Sequence, residues 1–189
     1  MAHESTSALR RRLASVPVVL VSGVATLVLT CVMAAISREG LMVIEGADIV
    51  RLQLAFSSEA FADVLQKWGP GGIERFRAML WIDYLYAASY SVFLSSLLAM
   101  LTRRSAAADG VIGLSVVLAP LVAAASDWIE NTFHLLMLAD PARLSETAVL
   151  LASMFAAVKW GLVAVSIALI VYHSGVKLAR LVAKSKPCG

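Results

Sequence analysis

Four apolar blocks, each long enough to cross a lipid bilayer as a helix, set what this chain can fold into. A spanning helix needs about 20 apolar residues. Backbone that crosses lipid must also satisfy its own hydrogen bonds, which favours helices over any open strand. The blocks run over about residues 13–36, 76–101, 111–138 and 147–172. They predict an all-α fold, a four-helix transmembrane bundle forming a single integral membrane domain over residues 1–189. The 60% hydrophobic content agrees, since soluble domains sit nearer about half. Pro120 falls inside the third block and is expected to kink that helix without ending it. Arg10, Arg11 and Arg12 precede the first block, as they would a signal peptide. That block is about twice the length of a signal core, so a retained helix is expected.

The charges outside the blocks give the bundle a direction. With the N-terminus inside, the inner segments hold nine basic residues: Arg10, Arg11, Arg12, Arg103, Arg104, Lys177, Arg180, Lys184 and Lys186. The outer segments hold six: Arg38, Arg51, Lys67, Arg75, Arg77 and Arg143. Short loops weigh most in this comparison, and the loop between spans two and three has two arginines against one between three and four. Both termini are therefore expected on the cytoplasmic side. Basic residues flank the apolar blocks and form no stripe interleaved with aromatics, so the net charge of +3 argues for membrane orientation and against a nucleic-acid partner. Cys31 lies in the first block and Cys188 next to the C-terminus, which suits neither a disulfide nor a metal framework. Cys188 is also misplaced for prenylation.

The outer segment, residues 37–75, is the only sizeable part outside the spans. Leu52, Leu54 and Phe56 alternate, which suggests a short extended piece. Ser57 or Ser58 then caps a helix whose Phe61, Val64, Leu65 and Trp68 fall at i, i+3, i+4 and i+7. Gly69-Pro70-Gly71-Gly72 is expected to end it. That stripe predicts one interfacial amphipathic helix in the outer loop, lying in the interface or roofing the bundle, with a partner's docking site as the competing reading.

Charges inside the spans are the main functional clue. An acid or lysine at the centre of a lipid-facing helix costs about 2.5–3.5 kcal/mol even on the most lenient scale. Asp83, Asp127, Glu130 and Lys159 are therefore expected to face inward and find partners or line water. At about 1.5 Å of rise per residue they all fall in the outer half of the bundle or near its midplane. In span three Asp127, Glu130, Asn131 and His134 are spaced i, i+3, i+4, i+7 and share one helical face. Span two sets Asp83, Tyr86 and Tyr90 on one side, and span one has Ser22, Thr26 and Thr30 beside Gly23, a stripe suited to helix contact. Three carboxyls share the interior with one lysine, so a proton or a cation is needed to balance the charge. The expected arrangement is a Lys159–Asp127 pair, with Glu130 and Asp83 sharing the proton or cation and Arg75 or Arg77 reaching toward Asp83.

Three uses compete for this cluster. It can be structural, locking helix register through polar contacts. It can bind a small ligand, a lipid, an ion or a proton, which makes Asp83, Tyr86, Tyr90, Asp127, Glu130, Asn131 and Lys159 the candidate ligand- or ion-binding residues. It can also be an intramembrane enzyme acting on a lipid or isoprenoid by carboxylate acid–base chemistry, with Tyr86, Tyr90 or Lys159 as acid partner. No nucleophile stands beside a base at a familiar spacing, so catalytic residues stay unassigned. His134 with Glu130 at i, i+4 could chelate a divalent metal, a short pattern of low specificity. Haem is disfavoured, because His134 is outer, His173 inner and His3 in the tail. Trp81, Tyr84, Trp128, Trp160 and Tyr172 divide between interface anchors and helix packing.

The order Leu-Ala-Phe56, Trp68-Gly69, Asp83-Tyr84 with Tyr90, Asp127-x-x-Glu130-Asn131, Lys159-Trp160 resembles a family of uncharacterised small bacterial integral membrane proteins with four spans. The resemblance covers about residues 50–165, and its most specific motif is the Asp-x-x-Glu-Asn of span three. It implies a multi-pass protein of the bacterial inner membrane and no particular activity, and His134 is not part of it. The expected function is binding of a small ligand, lipid or ion, or service as an accessory membrane subunit. Intramembrane catalysis is the alternative. The bilayer is the expected surrounding, and self-association or a partner membrane subunit stays open.

Overall fold

A computed structural model describes residues 2–39, 44–102 and 111–185. Arg103, Arg104 and Lys186, used above in the charge comparison, lie outside the described residues, and so do the side chains of His3 and Lys184. The fold is all-α, and no strand occurs among the described residues. The helices are α1 (Ala2–Leu13), α2 (Val16–Ser37), α3 (Gly46–Gln53), α4 (Ser58–Thr102), α5 (Val111–Ala139) and α6 (Glu146–Ser185). Four of them, α2, α4, α5 and α6, are long and apolar enough to cross a membrane. Pro120 sits within α5 and the helix runs through it, as expected.

The long arms of α4, α5 and α6 form the body of the bundle, and α2 lies along α4 without comparable contact to α5 or α6. Small and polar side chains make that flank. Gly23 leaves room for the ring of Phe93, which would stand 3.0 Å from an added Cβ, and Thr26 Oγ1 lies 3.2 Å from Ser89 Oγ. The hydroxyls of Ser22, Thr26 and Thr30 each bond back to a carbonyl one turn earlier, which hides them from lipid. On α6 a single stripe is buried, formed by Val149, Ala152, Ser153, Ala156, Lys159 and Ser166. A lysine within an otherwise uncharged stripe of mostly small residues is what brings positive charge into the interior.

One end of the bundle is roofed. Residues 58–68 of α4 cross it with Phe61, Val64, Leu65 and Trp68 turned down onto Phe76, Leu80, Met137, Leu138 and Val149. The amphipathic helix therefore packs on its own bundle. Ser57 caps it, accepting from the Ala60 amide at 3.2 Å. Gly69-Pro70-Gly71-Gly72 does not end the helix as the sequence suggested. The chain turns at Gly69 (φ 63°, ψ −177°) and is helical again from Pro70, so roof and span two are two arms of one bent element. Proline fits the first turn of the second arm because its missing N–H would be unpaired there in any case.

The extended piece expected around Leu52–Phe56 is also corrected: residues 46–53 are helix α3. Its buried face is Asp48, Leu52 and Gln53, a helical spacing that the alternation of Leu52, Leu54 and Phe56 concealed. At the opposite end of the bundle, α1 folds against α4, where Arg10 donates to Thr102 Oγ1 at 2.9 Å.

Candidate functional site

Lys159 is the centre of the interior polar cluster. Its ammonium lies 3.0 Å from Asp127 Oδ1 and 2.6 Å from Glu130 Oε2. The three side chains come from α5 and α6 and are almost wholly shielded, with 4%, 2% and 0% exposure for Lys159, Asp127 and Glu130. The pair expected between Lys159 and Asp127 is thus formed, and Glu130 joins it from one turn further along α5. Tyr90 of α4 donates to the second oxygen of Asp127 at 3.2 Å. Asp83, two turns from Tyr90, accepts from Asn131 Nδ2 at 2.9 Å and approaches Asp127 closely enough to interact with it directly.

Glu130 contacts Lys159, while Asp83 accepts from Asn131. Of the two arginines expected near Asp83, Arg77 turns elsewhere. It donates to Glu74 at 2.7 Å and to the Leu138 carbonyl, which ties the end of α5 to α4. Its long side chain satisfies a helix-terminal carbonyl at the roofed end and has no reach left for a group two turns deeper.

His134 is fully buried between aromatic rings, with Phe61 stacked at 5.7 Å and Phe76 at 6.0 Å between centroids. Its Nδ1 is 3.8 Å from Glu130 Oε1, beyond hydrogen-bonding distance. Neither ring nitrogen has a hydrogen-bond partner, and the same holds for Glu130 Oε1 and Asn131 Oδ1. No group of three or more His, Cys, Asp or Glu among the described residues is placed to hold a metal ion. The i, i+4 pair of Glu130 and His134 therefore supplies at most two ligands.

The segment between α2 and the roof reaches further into the bundle than an outer loop would. Gln53 Oε1 accepts from Trp160 Nε1 at 3.1 Å, the Phe56 amide donates to Ser153 Oγ at 3.1 Å, and the Ser58 amide donates to Glu146 Oε2 at 2.8 Å. Trp160, Ser153 and Glu146 follow one another up α6, with about 21 Å of helix between the first and the last. Residues 46–58 therefore dip alongside α6 and climb back out. Irregular backbone survives at that depth only where protein covers it, and the hydroxyl of Ser153 serves that need. Sequence reasoning missed Gln53 here. The available signal was the helical spacing of Asp48, Ile49, Leu52 and Gln53, two apolar and two polar residues on one face.

The site is covered unevenly. Trp128 Nε1 donates to the Tyr84 carbonyl at 2.9 Å, and Tyr84 and Thr132 share a hydroxyl contact at 2.8 Å, closing the seam between α4 and α5. Helices α4 and α6 meet less closely than either meets α5, and α3 touches both. Tyr86 and Val163 both pack against the buried group of Ala87, Tyr90 and Ala124, and the Tyr86 ring is tilted at 58° to that of Tyr90 with centroids 5.3 Å apart. Asp83 and Tyr86 are partly exposed, while the rest of the cluster is buried.

Four helices long and apolar enough to cross a membrane, three of them enclosing a buried ionic cluster, define the class, a polytopic membrane protein. Searches against protein families, characterised proteins and solved structures find no match to this chain.

Proposed function

We propose that this chain is a multi-pass protein of a bacterial inner membrane, both termini cytoplasmic, whose buried cluster binds a small ligand, lipid or ion, alone or as an accessory subunit. The bacterial setting rests on the motif resemblance, and the orientation on the basic residues at the α1 and α6 ends. The binding role rests on one observation: Glu130 Oε1 and Asn131 Oδ1 are buried acceptors with no hydrogen bond. A cluster that served only to lock helix register would gain from pairing both, because each buried polar atom left unpaired costs about 1–3 kcal/mol. Carboxyls in excess of lysine point the same way, since the interior needs further positive charge or protons.

Native mass spectrometry of the detergent-purified chain tests this, reading bound lipids and ions together with subunit count. A non-protein mass in fixed proportion is expected, and it should be lost from an Asn131→Leu variant that still folds. A folded, helical wild-type chain that flies at its bare mass under gentle activation overturns the reading.

A further inference from the structure

The cluster is lopsided in a way that names its ligand. On the α5–α6 side Asp127 and Glu130 both engage Lys159. On the α4 side Asp83 accepts from the amide of Asn131 and makes no ion pair of its own, with Asp127 and the already shared Lys159 both near enough to act on it. Beside it the amide oxygen of the same Asn131 has no partner, while the unpaired Glu130 Oε1 and His134 nitrogens lie further along α5. A ligand that completed this site would bring hydrogen-bond donors or positive charge.

The walls beside Asp83 are aromatic. Tyr86 and Tyr90 lie on its own helix face, one and two turns on, and pack against each other. The two rings are tilted at 58° to each other, and a tyrosine face turned to a cation attracts it once water is excluded. From above, α3 ends at Gln53 beside Trp160, the neighbour of Lys159, so the negative end of its dipole is set near the level of the cluster. The partly exposed groups are Asp83 and Tyr86, at the loosest seam of the body.

We propose that the seam around Asp83, Tyr86 and Tyr90 binds a lipophilic organic cation that enters from the bilayer and competes with a proton for Asp83. This deepens the binding reading above and rests on it. The groups that face Asp83 are Tyr86 and Tyr90 from α4, Asp127, Glu130 and Asn131 from α5, and Lys159 from α6. Helix α2 contains no charged residue, and the Asp48 of α3 is held by Lys67 at 2.7 Å. With Lys159 already shared by two carboxyls, a proton on Asp83 and a cation beside it are alternatives, so one should leave as the other arrives.

Equilibrium binding of radiolabelled tetraphenylphosphonium to the full-length chain in detergent tests this. Saturable binding is expected at pH 8, weakened as pH falls, with about one proton released per cation bound. Asp83→Asn should weaken it about tenfold or more, as removal of a buried charge partner does. Tyr86→Leu should weaken it about threefold to tenfold through the lost ring, while Tyr86→Phe keeps the ring and should bind like wild type. Should Asp83→Asn fail to fold, the contrast of Tyr86→Leu with Tyr86→Phe decides. Equal binding of an uncharged tetraphenyl analogue, or affinity indifferent to pH and to both positions, overturns the proposal. If native mass spectrometry finds a neutral or anionic lipid and the cation does not bind, this inference falls and the binding reading stands. If neither experiment finds a ligand, both fall.

Discussion

Replacing Lys159 by Met would leave Asp127 and Glu130 facing each other with no cation between them. Both carboxyls are shielded from solvent, so the loss is that of a broken buried pair, about 3–5 kcal/mol. We expect Lys159→Met to lower the unfolding midpoint in detergent accordingly. Adding Asp127→Asn to it should recover part of the loss, because the second change removes one of the stranded charges. Equal stability of wild type and Lys159→Met would show that the pair does not hold α5 to α6. At this scale the sequence was informative about which residues turn inward, since an ionisable group in an apolar block has nowhere else to go. It was not informative about partners. That Glu130 joins Asp127 on Lys159 while Asp83 takes Asn131 was not legible, because choosing among three carboxyls within one side chain's reach takes the rotation of each helix, which spacing along the chain does not supply. His134 shares a face with Glu130, as its position at i+4 required, yet its ring contacts come from Phe61 and Phe76 on another element.

The bent α4 illustrates what a helix-breaking motif can and cannot tell. Gly69-Pro70-Gly71-Gly72 marks a turn correctly, but it is compatible with either a loop or a hinge between two helices. Only Gly69 leaves the helical region, at φ 63° and ψ −177°, a conformation open essentially to glycine. Gly72 answers a different need: a Cβ there would stand 2.6 Å from the Cβ of Trp68. Gly69→Ala should therefore destabilise the roof by about 1–3 kcal/mol of backbone strain. Gly72→Ala should act through displacement of Trp68, which lies at 5.1 Å from Phe76. Limited proteolysis between residues 57 and 69 measures both, with faster cleavage expected in each variant and unchanged cleavage counting against a packed roof. Helix α3 was missed because a short stretch of eight residues supports helix and strand patterns equally well. Its identity was settled by burial of Asp48 and Gln53 together with Leu52, and two buried polar residues are not something an apolar-pattern rule looks for.

As a whole the molecule has two unlike ends, and that polarity follows from its charges. The roofed end has eight carboxylates, Glu39, Glu45, Asp48, Glu59, Asp63, Glu74, Asp140 and Glu146, beside the six basic residues Arg38, Arg51, Lys67, Arg75, Arg77 and Arg143. The other end has Arg10, Arg11, Arg12, Lys177 and Arg180 with no carboxylate among the described side chains, so its net charge is positive. The contact of Arg10 with Thr102 places α1 and the last turn of α4 together at the basic end. Positive charge resists translocation, so this end should stay in the cytoplasm and the roof should face outward. The partly exposed Asp83 would then lie in the outer half of the bilayer, nearer the roof than the basic end. Single cysteines decide the direction, introduced after Cys31 and Cys188 are replaced by alanine. In intact cells a membrane-impermeant maleimide should label Ala142→Cys, in the short exposed turn between α5 and α6. It should label Lys177→Cys, exposed near the far end of α6, only after the membrane is permeabilised. The reverse pattern would put the roof in the cytoplasm and turn the Asp83 seam toward the inner leaflet. In that orientation the same carboxyls would meet ligands from the cytoplasmic side.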